Sequence, residues 1–282
     1  MRSLFRSRAA GWSARAVAAA IVGLVAWAFW LEPSSLVVVE QHLFLPFTRP
    51  GTVRVAVLAD LHVGSPFNGI SNLRRVVERT NAAQPDLVCI LGDLVVQGVR
   101  GGRFVDPESI AAELAKLRPP LGVFAVLGNH DDWLDHDRVA RALTERGIRV
   151  IEETAIRIDT AGGPLWLAGI SDLWMGNHDI AKALAKVSDD APVILLTHNP
   201  DVFPSVPPRV ALTLAGHTHG GQVRLPFFGA PIVPSQFGQR FAAGLVRESD
   251  RQMFVTTGVG TSILPVRFRV PPSIALLTLQ RH

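Results

Sequence analysis

The pattern of apolar and polar positions changes once along the chain, near Pro33. Residues 16–31 form an uncharged apolar run, whereas the chain after Pro33 alternates short apolar runs with segments of helical spacing. Strands are predicted at 52–60, 86–93 and 122–131, with helices near 70–80, 106–117 and 137–146. Asp106 is the expected N-cap of the second helix, with Pro107 in its first turn.

Strands dominate the later part of the chain. They are predicted at 148–151, 155–159, 165–170, 192–198, 209–217, 252–257 and 274–279, with one helix near 180–187. Strand–helix alternation followed by clustered strands predicts an α/β domain with two packed sheets. Because no linker divides this region, residues 32–282 are expected to form a single domain.

Residues 1–31 are predicted to be an N-terminal membrane anchor. The apolar run spans about 24 Å as a helix, slightly less than the hydrocarbon core of about 30 Å, and Trp27 and Trp30 suit its interface. Four arginines near the start indicate a cytoplasmic N-terminus: Arg2, Arg6, Arg8 and Arg15. The chain is therefore expected to be a single-pass inner-membrane protein whose remaining residues lie on the extracytoplasmic side. Two alternatives are a signal peptide cleaved near Ala26-Trp27-Ala28 and a buried core helix.

Charge and cysteine content exclude some classes. The net charge is +4, most of it from the N-terminal arginines, and no basic stripe interleaved with aromatics follows. Nucleic acid is therefore not an expected partner. The single cysteine, Cys89, cannot form an internal disulfide and is expected in a core strand. The sequence leaves the oligomeric state open.

Five predicted strands end in polar residues of metal-binding type. The endings are Asp60-Leu61-His62, Gly92-Asp93, Gly128-Asn129-His130-Asp131, Thr197-His198-Asn199 and Gly216-His217-Thr218-His219. Ligands of open α/β sheets bind beyond the carboxyl ends of the strands. We therefore expect these side chains to meet at one site.

The residue types indicate a pair of metal ions. Carboxylate, amide and imidazole donors suit divalent Mn, Fe or Zn, and no thiolate accompanies them. These donors are too numerous for one ion and suit two ions with one bridging carboxylate. Two-metal sites catalyse in-line displacement at phosphorus. The neighbouring glycines are expected to let ions and substrate approach the backbone.

The order of these blocks resembles the calcineurin-like metallophosphoesterase family. Residues 216–245 and 256–279 further resemble its bacterial membrane-anchored or exported branch, to which YaeI and YkuE belong; the resemblance covers roughly residues 35–280. It implies a four-layer α/β/β/α sandwich with a dinuclear site at one edge. The implied ligands are Asp60, His62, Asp93 and His219 for one ion, and Asp93, Asn129, His198 and His217 for the other.

The resemblance also implies the reaction. A metal-bound hydroxide would attack phosphorus in line, and His130 would face the phosphate without binding metal. Asp131 would orient His130. The expected enzyme is a metal-dependent phosphodiesterase.

The substrate is less defined. The apolar, Pro-rich segment 224–238 is expected to be either a packed connection or a lip that meets lipid or a lipid-linked substrate. One alternative function is a UDP-2,3-diacylglucosamine pyrophosphatase of lipid A synthesis, whose cytoplasmic substrate conflicts with the charge rule. The other is a non-enzymatic envelope-binding protein on the same scaffold.

Overall fold

The computed structural model of the chain describes residues 15–281. Its strands are β1 (Val37–Leu45), β2 (Thr52–Leu58), β3 (Leu87–Leu91), β4 (Val123–Val126), β5 (Arg149–Val150), β6 (Thr154–Thr160), β7 (Gly163–Gly169), β8 (Val193–Leu196), β9 (Leu212–Ala215), β10 (Gly244–Glu248), β11 (Arg251–Val255) and β12 (Ser273–Arg281). They form two six-stranded sheets, in the orders β1-β12-β2-β3-β4-β5 and β10-β11-β9-β8-β7-β6. The predicted α/β fold with two sheets is confirmed.

The α-helices after the N-terminal segment are α1 (Ile70–Ala82), α2 (Pro107–Leu114), α3 (Asn129–Thr144) and α4 (Ile180–Leu184). Short 3-10 helices cover Pro200–Ser205, His219–Gly221 and Gly238–Phe241. Asp106 caps α2 as predicted, since its side chain accepts a hydrogen bond from Ser109 N.

Three apolar layers hold the sheets and helices together. Helices α1, α2 and α3 bury residues such as Val76, Leu114 and Leu143 against the outer face of the first sheet. The two sheets bury a second layer between them, which includes Cys89. The outer face of the second sheet packs on α4 and the 3-10 helices. The sheets are therefore fixed against each other, and so are the loops at their shared edge.

Several boundaries differ from the prediction. The segment predicted as the exit loop of the third strand is the first turn of α3, which begins at Asn129. A helix can start there because Gly128 adopts an extended N-cap conformation, with φ −113° and ψ 175°. Strands β1 and β10 were not predicted; both lie at sheet edges, and the burial pattern of β1 lacks the alternation that would reveal it.

The described part of the segment predicted as a membrane anchor is helical. Residues 15–26 are α-helical and Trp27–Leu31 form a π-helix. Their side chains are exposed, Val22 by 68% and Trp30 by 66%, so the alternative of a buried core helix is wrong. Arg2, Arg6 and Arg8 lie outside the described residues. Within residues 15–281 no helix is long and apolar enough to cross a membrane, and the predicted transmembrane helix is thus not confirmed.

Candidate metal centre

The seven predicted metal ligands converge where the carboxyl ends of both sheets meet. Strands β2, β3 and β4 of the first sheet lead into Asp60, Asp93 and Asn129, and β8 and β9 of the second lead into His198 and His217. The two sheets are linked across the site: His217 N donates to Asp60 Oδ1 at 3.0 Å, and His198 Nδ1 lies 2.7 Å from Leu91 O. The predicted convergence is therefore observed.

The backbone at this edge is strained. Five of the seven residues have a left-handed backbone with positive φ: Asp60, His62, Asp93, His217 and His219. This conformation costs a non-glycine residue free energy, and residues that adopt it are concentrated at functional sites.

One group of donors gathers around Asp60, His62 and His219. Their ligand atoms lie close enough together to hold a single ion, and all three residues are buried. His62 Nε2 and His219 Nε2 are 3.2 Å apart, and His219 Nε2 is 3.5 Å from Asp60 Oδ1. Two imidazole nitrogens that face each other at this distance can both bind one cation through their lone pairs.

A second group comprises Asp93, His198 and His217. His198 Nε2 lies 3.2 Å from Asp93 Oδ2 and 3.1 Å from His217 Nδ1. Asn129 Oδ1 and His217 Nε2 are buried and have no hydrogen-bond partner among residues 15–281. Orphaned buried acceptors call for an explanation, and a bound ion supplies one.

Asp93 belongs to the second group and also contacts the first. Its Oδ2 lies 3.5 Å from His62 Nε2 on one side and 3.2 Å from His198 Nε2 on the other. Its Oδ1 accepts a hydrogen bond from His130 N at 2.9 Å, which fixes the carboxylate. This is the position expected of a bridging ligand, and the buried donor set fits divalent metal.

Outer contacts orient two of the imidazoles. His62 Nδ1 lies 3.2 Å from Val95 O, and His198 Nδ1 lies 2.7 Å from Leu91 O. A backbone carbonyl at Nδ1 favours the tautomer protonated there and leaves Nε2 free to bind metal.

Burial also prepares the ligands electrostatically. It lowers the pKa of His62 to about 4 and that of His217 to about 3, and it holds the pKa of His219 well below its ordinary value. These imidazoles are therefore neutral at pH 7, as metal ligands must be. Burial raises the pKa of Asp60 to about 7.

Asp93 and His198 form the opposite case. Burial disfavours both charges, but their mutual attraction outweighs it: the pKa of Asp93 lies well below its ordinary value and that of His198 well above. Without metal, a proton on His198 neutralises Asp93. A divalent cation between them would displace that proton.

Glycines make room for the ligands themselves. A Cβ on Gly128 would lie 2.4 Å from Asp93 Oδ1 and 2.8 Å from His198 Cε1, and a Cβ on Gly216 would lie 2.8 Å from Asp60 Oδ2. The prediction held that these glycines let ions and substrate approach. The structure shows that they let the ligands pack against the backbone.

Asp131 does not have the predicted contact with His130. Its Oδ1 accepts from Leu94 N at 2.9 Å and Val95 N at 3.2 Å, and its Oδ2 accepts from Gly128 N at 3.1 Å. His130 Nδ1 is buried without a partner in the described part of the chain. Asp131 therefore braces the loop after Asp93 instead of orienting His130; both residues share the first turn of α3, where adjacent side chains point in different directions.

His130 itself lies at the site. Its ring packs edge-on against His62, with centroids 4.6 Å apart, and it groups with His62 and Asp93 as a third candidate ligand set. Burial lowers its pKa. That His130 does not bind metal stays a prediction.

Three residues at the site were not predicted. Trp133 packs on His130 with centroids 4.7 Å apart, and Trp174 packs edge-on against His217 at 4.5 Å. Arg267 is fully buried and donates to Gly260 O and Val270 O beside the Asp60 loop. Trp133 follows His130 by about one helical turn, so a correct prediction of the start of α3 would have placed it at the site. No sequence pattern of this kind indicates Trp174 or Arg267.

An open cleft of about 420 Å³ leads to these residues. Asp93, Asn129 and His217 lie at its floor, and its walls are mostly apolar, with Trp133, Trp174, Ile232 and Ile263 among them. A phosphoester could therefore reach both donor groups.

The family model for calcineurin-like phosphoesterases matches residues 53–221, a stretch that includes all nine predicted site residues. The chain belongs to the calcineurin-like phosphoesterase family. The predicted family, and with it the metallophosphoesterase class of enzyme, is confirmed.

Two relatives align with the chain over most of the length of both proteins. The chain is 30% identical to the metallophosphoesterase YkuE of Bacillus subtilis over 90% of this chain and 89% of that protein. It is 31% identical to the phosphodiesterase YaeI of Escherichia coli over 89% and 90%. The predicted YaeI- and YkuE-like branch is thus confirmed.

A solved structure shows the same fold at low identity. The NAD nucleotidase NadN of Haemophilus influenzae matches 75% of this chain with a TM-score of 0.51 and 14% identity. The chain spans about half, 51%, of that protein. This likeness concerns the fold alone.

Proposed function

We propose that the chain is a dinuclear metal-dependent phosphodiesterase. The observation that carries the proposal is the position of Asp93 Oδ2 between His62 Nε2 and His198 Nε2, at 3.5 and 3.2 Å. One ion would be held by Asp60, His62, Asp93 and His219, and the other by Asp93, Asn129, His198 and His217. Mn, Fe and Zn suit this donor set.

When bound, two such ions neutralise the phosphoryl oxygens and lower the pKa of a coordinated water. The side chains of the protein do the remaining work. His130 lies against His62 beside both donor groups, with Nδ1 unpaired among the described residues. There it can donate a hydrogen bond to the leaving oxygen as charge develops. Asp131 acts through the loop that it braces.

The walls of the cleft support a diester substrate with an apolar portion. Trp133 packs against His130 and Trp174 against His217, and both rings line the cleft. A second substituent on phosphorus would contact these rings, whereas a monoester would leave them uncovered. The relative YaeI of Escherichia coli is likewise named a phosphodiesterase.

The two alternative functions differ from the proposal in the bond that is cleaved and in the ligands that they need. A UDP-2,3-diacylglucosamine pyrophosphatase would cleave a phosphoanhydride in preference to a simple diester. A non-enzymatic binding protein would not need the complete ligand set that the structure brings together.

Membrane attachment through residues 1–31 is part of the proposal. The exposed apolar side chains of the described helix support it, including Val22 and Trp30. The arginine-rich start favours a cytoplasmic N-terminus and an extracytoplasmic catalytic domain. A lipid- or envelope-linked phosphoester would suit that placement.

The test uses the full chain, purified in mild detergent. The metal is stripped with a chelator, Mn is added back, and hydrolysis of bis-p-nitrophenyl phosphate is compared with that of p-nitrophenyl phosphate and of a UDP-sugar pyrophosphate. A His217→Ala variant, which lacks the unpaired Nε2 at the second donor group, is assayed alongside.

The proposal expects diester cleavage that requires Mn and is lost in His217→Ala. Preferential cleavage of the pyrophosphate would favour the first alternative. Absence of metal uptake, together with no cleavage of any of the three substrates, would favour the binding protein.

A further inference from the structure

Large apolar side chains are exposed at the metal cleft and on the chain segment beside it. Phe227 is 103% exposed and Phe228 77%, in the segment between Gln222 and Ile232, which both line the cleft. Ile232, Ile263 and Leu264 are also exposed. Ile232 and Ile263 line the cleft itself. The two segments that carry them are joined, because Gln222 and Ser262 exchange two hydrogen bonds. Single exposed apolar residues are ordinary, but several on neighbouring segments mark an interaction surface.

The two phenylalanines lie at the tip of a hydrogen-bonded turn, residues 225–229, which is called the tip below. Leu225 and Gly229 exchange both backbone hydrogen bonds, at 2.8 and 3.0 Å, to close a tight turn around them. Gln239 Nε2 donates to Phe228 O at 3.0 Å. Phe227 is held in the left-handed region with φ 68°, a cost that Gly or Asn would largely avoid. The turn therefore presents the two rings to the outside.

Arginines surround the tip. Arg224 and Arg269 are exposed and border the hollow beneath Phe227 and Phe228. Arg100, also exposed, donates its backbone N–H to Ile263 O at 2.9 Å. Apolar side chains with basic residues beside them are the composition of surfaces that lie in the interface of anionic membranes.

The tip is continuous with the N-terminal helix. Arg224 N donates to Phe268 O, and Arg267 N donates to Ala28 O, both at 2.9 Å. Arg269 borders the hollow beneath the tip and also an apolar groove of about 900 Å³ beside Leu24 and Trp27. Segment 267–269 therefore connects the N-terminal helix to the tip, and Arg269 borders the hollows beside both.

We propose that this surface docks on an anionic lipid bilayer, with Phe227, Phe228 and Ile263 in the interfacial region. The docked orientation places the mouth of the metal cleft at the level of the lipid headgroups. The docking does not depend on the proposed phosphodiesterase activity; the further consequence, that the substrate is a phosphodiester at the membrane surface, does rest on it.

The experiment places a fluorescent reporter on the tip of the full chain. Native Cys89 is fully buried, so an introduced cysteine is the one labelled. An environment-sensitive dye is attached to a Phe227→Cys variant and, as matched control, to Phe44→Cys. Phe44 is 40% exposed near the end of β1, which pairs with the end of β12 farthest from the site. Both proteins are mixed with phosphatidylcholine vesicles, with or without phosphatidylglycerol.

Docking predicts that the dye at position 227 shifts to the blue, is quenched by spin-labelled lipid and is protected from aqueous iodide. The dye at position 44 stays accessible to iodide. Adding Arg224→Gln and Arg269→Gln lowers the partition of the tip into phosphatidylglycerol vesicles by about fivefold for each arginine. The shift persists after chelation of metal, so it is independent of the catalytic proposal.

Two results would overturn the inference. One is equal iodide access at positions 227 and 44 in every vesicle. The other is protection at position 227 that disappears when the protein is diluted at constant lipid, because a second copy of the chain would then cover the tip. Circular dichroism of both labelled variants confirms that each is folded.

Discussion

Gly128→Ala gives a sharp test of how the centre is held. Gly128 has φ −113° and ψ 175°, a conformation open to alanine, so the substitution introduces no backbone strain. Its new methyl group would instead lie 2.4 Å from Asp93 Oδ1 and 2.8 Å from His198 Cε1. The perturbation thus acts directly on the proposed bridging carboxylate.

The magnitude follows from the distances. Moving Asp93 from 2.4 Å to ordinary contact requires a shift of about 1 Å. A displacement of that size at a reacting centre costs about a hundredfold in rate. Packing a methyl group into a filled site also costs about 1–3 kcal/mol in the free energy of unfolding.

Gly69→Ala is the matched control. Gly69 precedes α1 with φ −84°, and a Cβ there meets nothing within 4 Å. Both variants are assayed for bound metal, for Mn-dependent cleavage of bis-p-nitrophenyl phosphate and for urea unfolding. Gly128→Ala should lose metal affinity and about a hundredfold in kcat/KM, whereas Gly69→Ala should behave as the wild type.

The reasoning is refuted if Gly128→Ala retains full metal content and full activity. The close packing of Asp93 against Gly128 would then not determine the ligand position. Equal losses in both variants would also contradict it, because Gly69 lies outside the site.

Three further outcomes are expected. His130→Ala retains metal, measured by elemental analysis, but loses about 10²–10⁴-fold in kcat, because the hydrogen-bond donor to the leaving oxygen is gone; loss of metal instead would make His130 a ligand. Arg267→Met lowers the free energy of urea unfolding by about 1–3 kcal/mol, because the buried carbonyl of Gly260 loses its donor; an unchanged value would show that the arginine is dispensable. Burial raises the pKa of Cys89 above its ordinary 9.0, so the folded thiol does not react with a disulfide reagent at pH 8. Above about pH 9 the free energy of unfolding falls, because only the unfolded thiol ionises; rapid labelling of folded protein would contradict this.

The sequence was sufficient to predict the two-sheet fold and the group of polar residues that meet at its edge. Buried parallel strands such as β3 read as continuous apolar runs, and the polar residue after each run marks the carboxyl edge of its sheet. Asp60 and His217 could be assigned to one site on that ground, although 157 residues separate them.

Contacts that depend on three-dimensional packing could not be predicted from the sequence. The family resemblance implied that Asp131 orients His130, but its carboxylate instead accepts hydrogen bonds from the backbone N–H groups of Leu94 and Val95. Arginine is usually found at the surface of a protein. Arg267 is buried only because the folded chain places Gly260 O beside its guanidinium group. Edge strand β10 forms because β11 is beside it, and its own sequence pattern is weak.

The central claim is that two ions share Asp93. The most direct measurement is a crystal structure of the full chain with Mn, with anomalous scattering recorded at the manganese edge. The account predicts two anomalous peaks about 3.5–4 Å apart with the Asp93 carboxylate between them. One peak alone, or two peaks that Asp93 does not join, would contradict it.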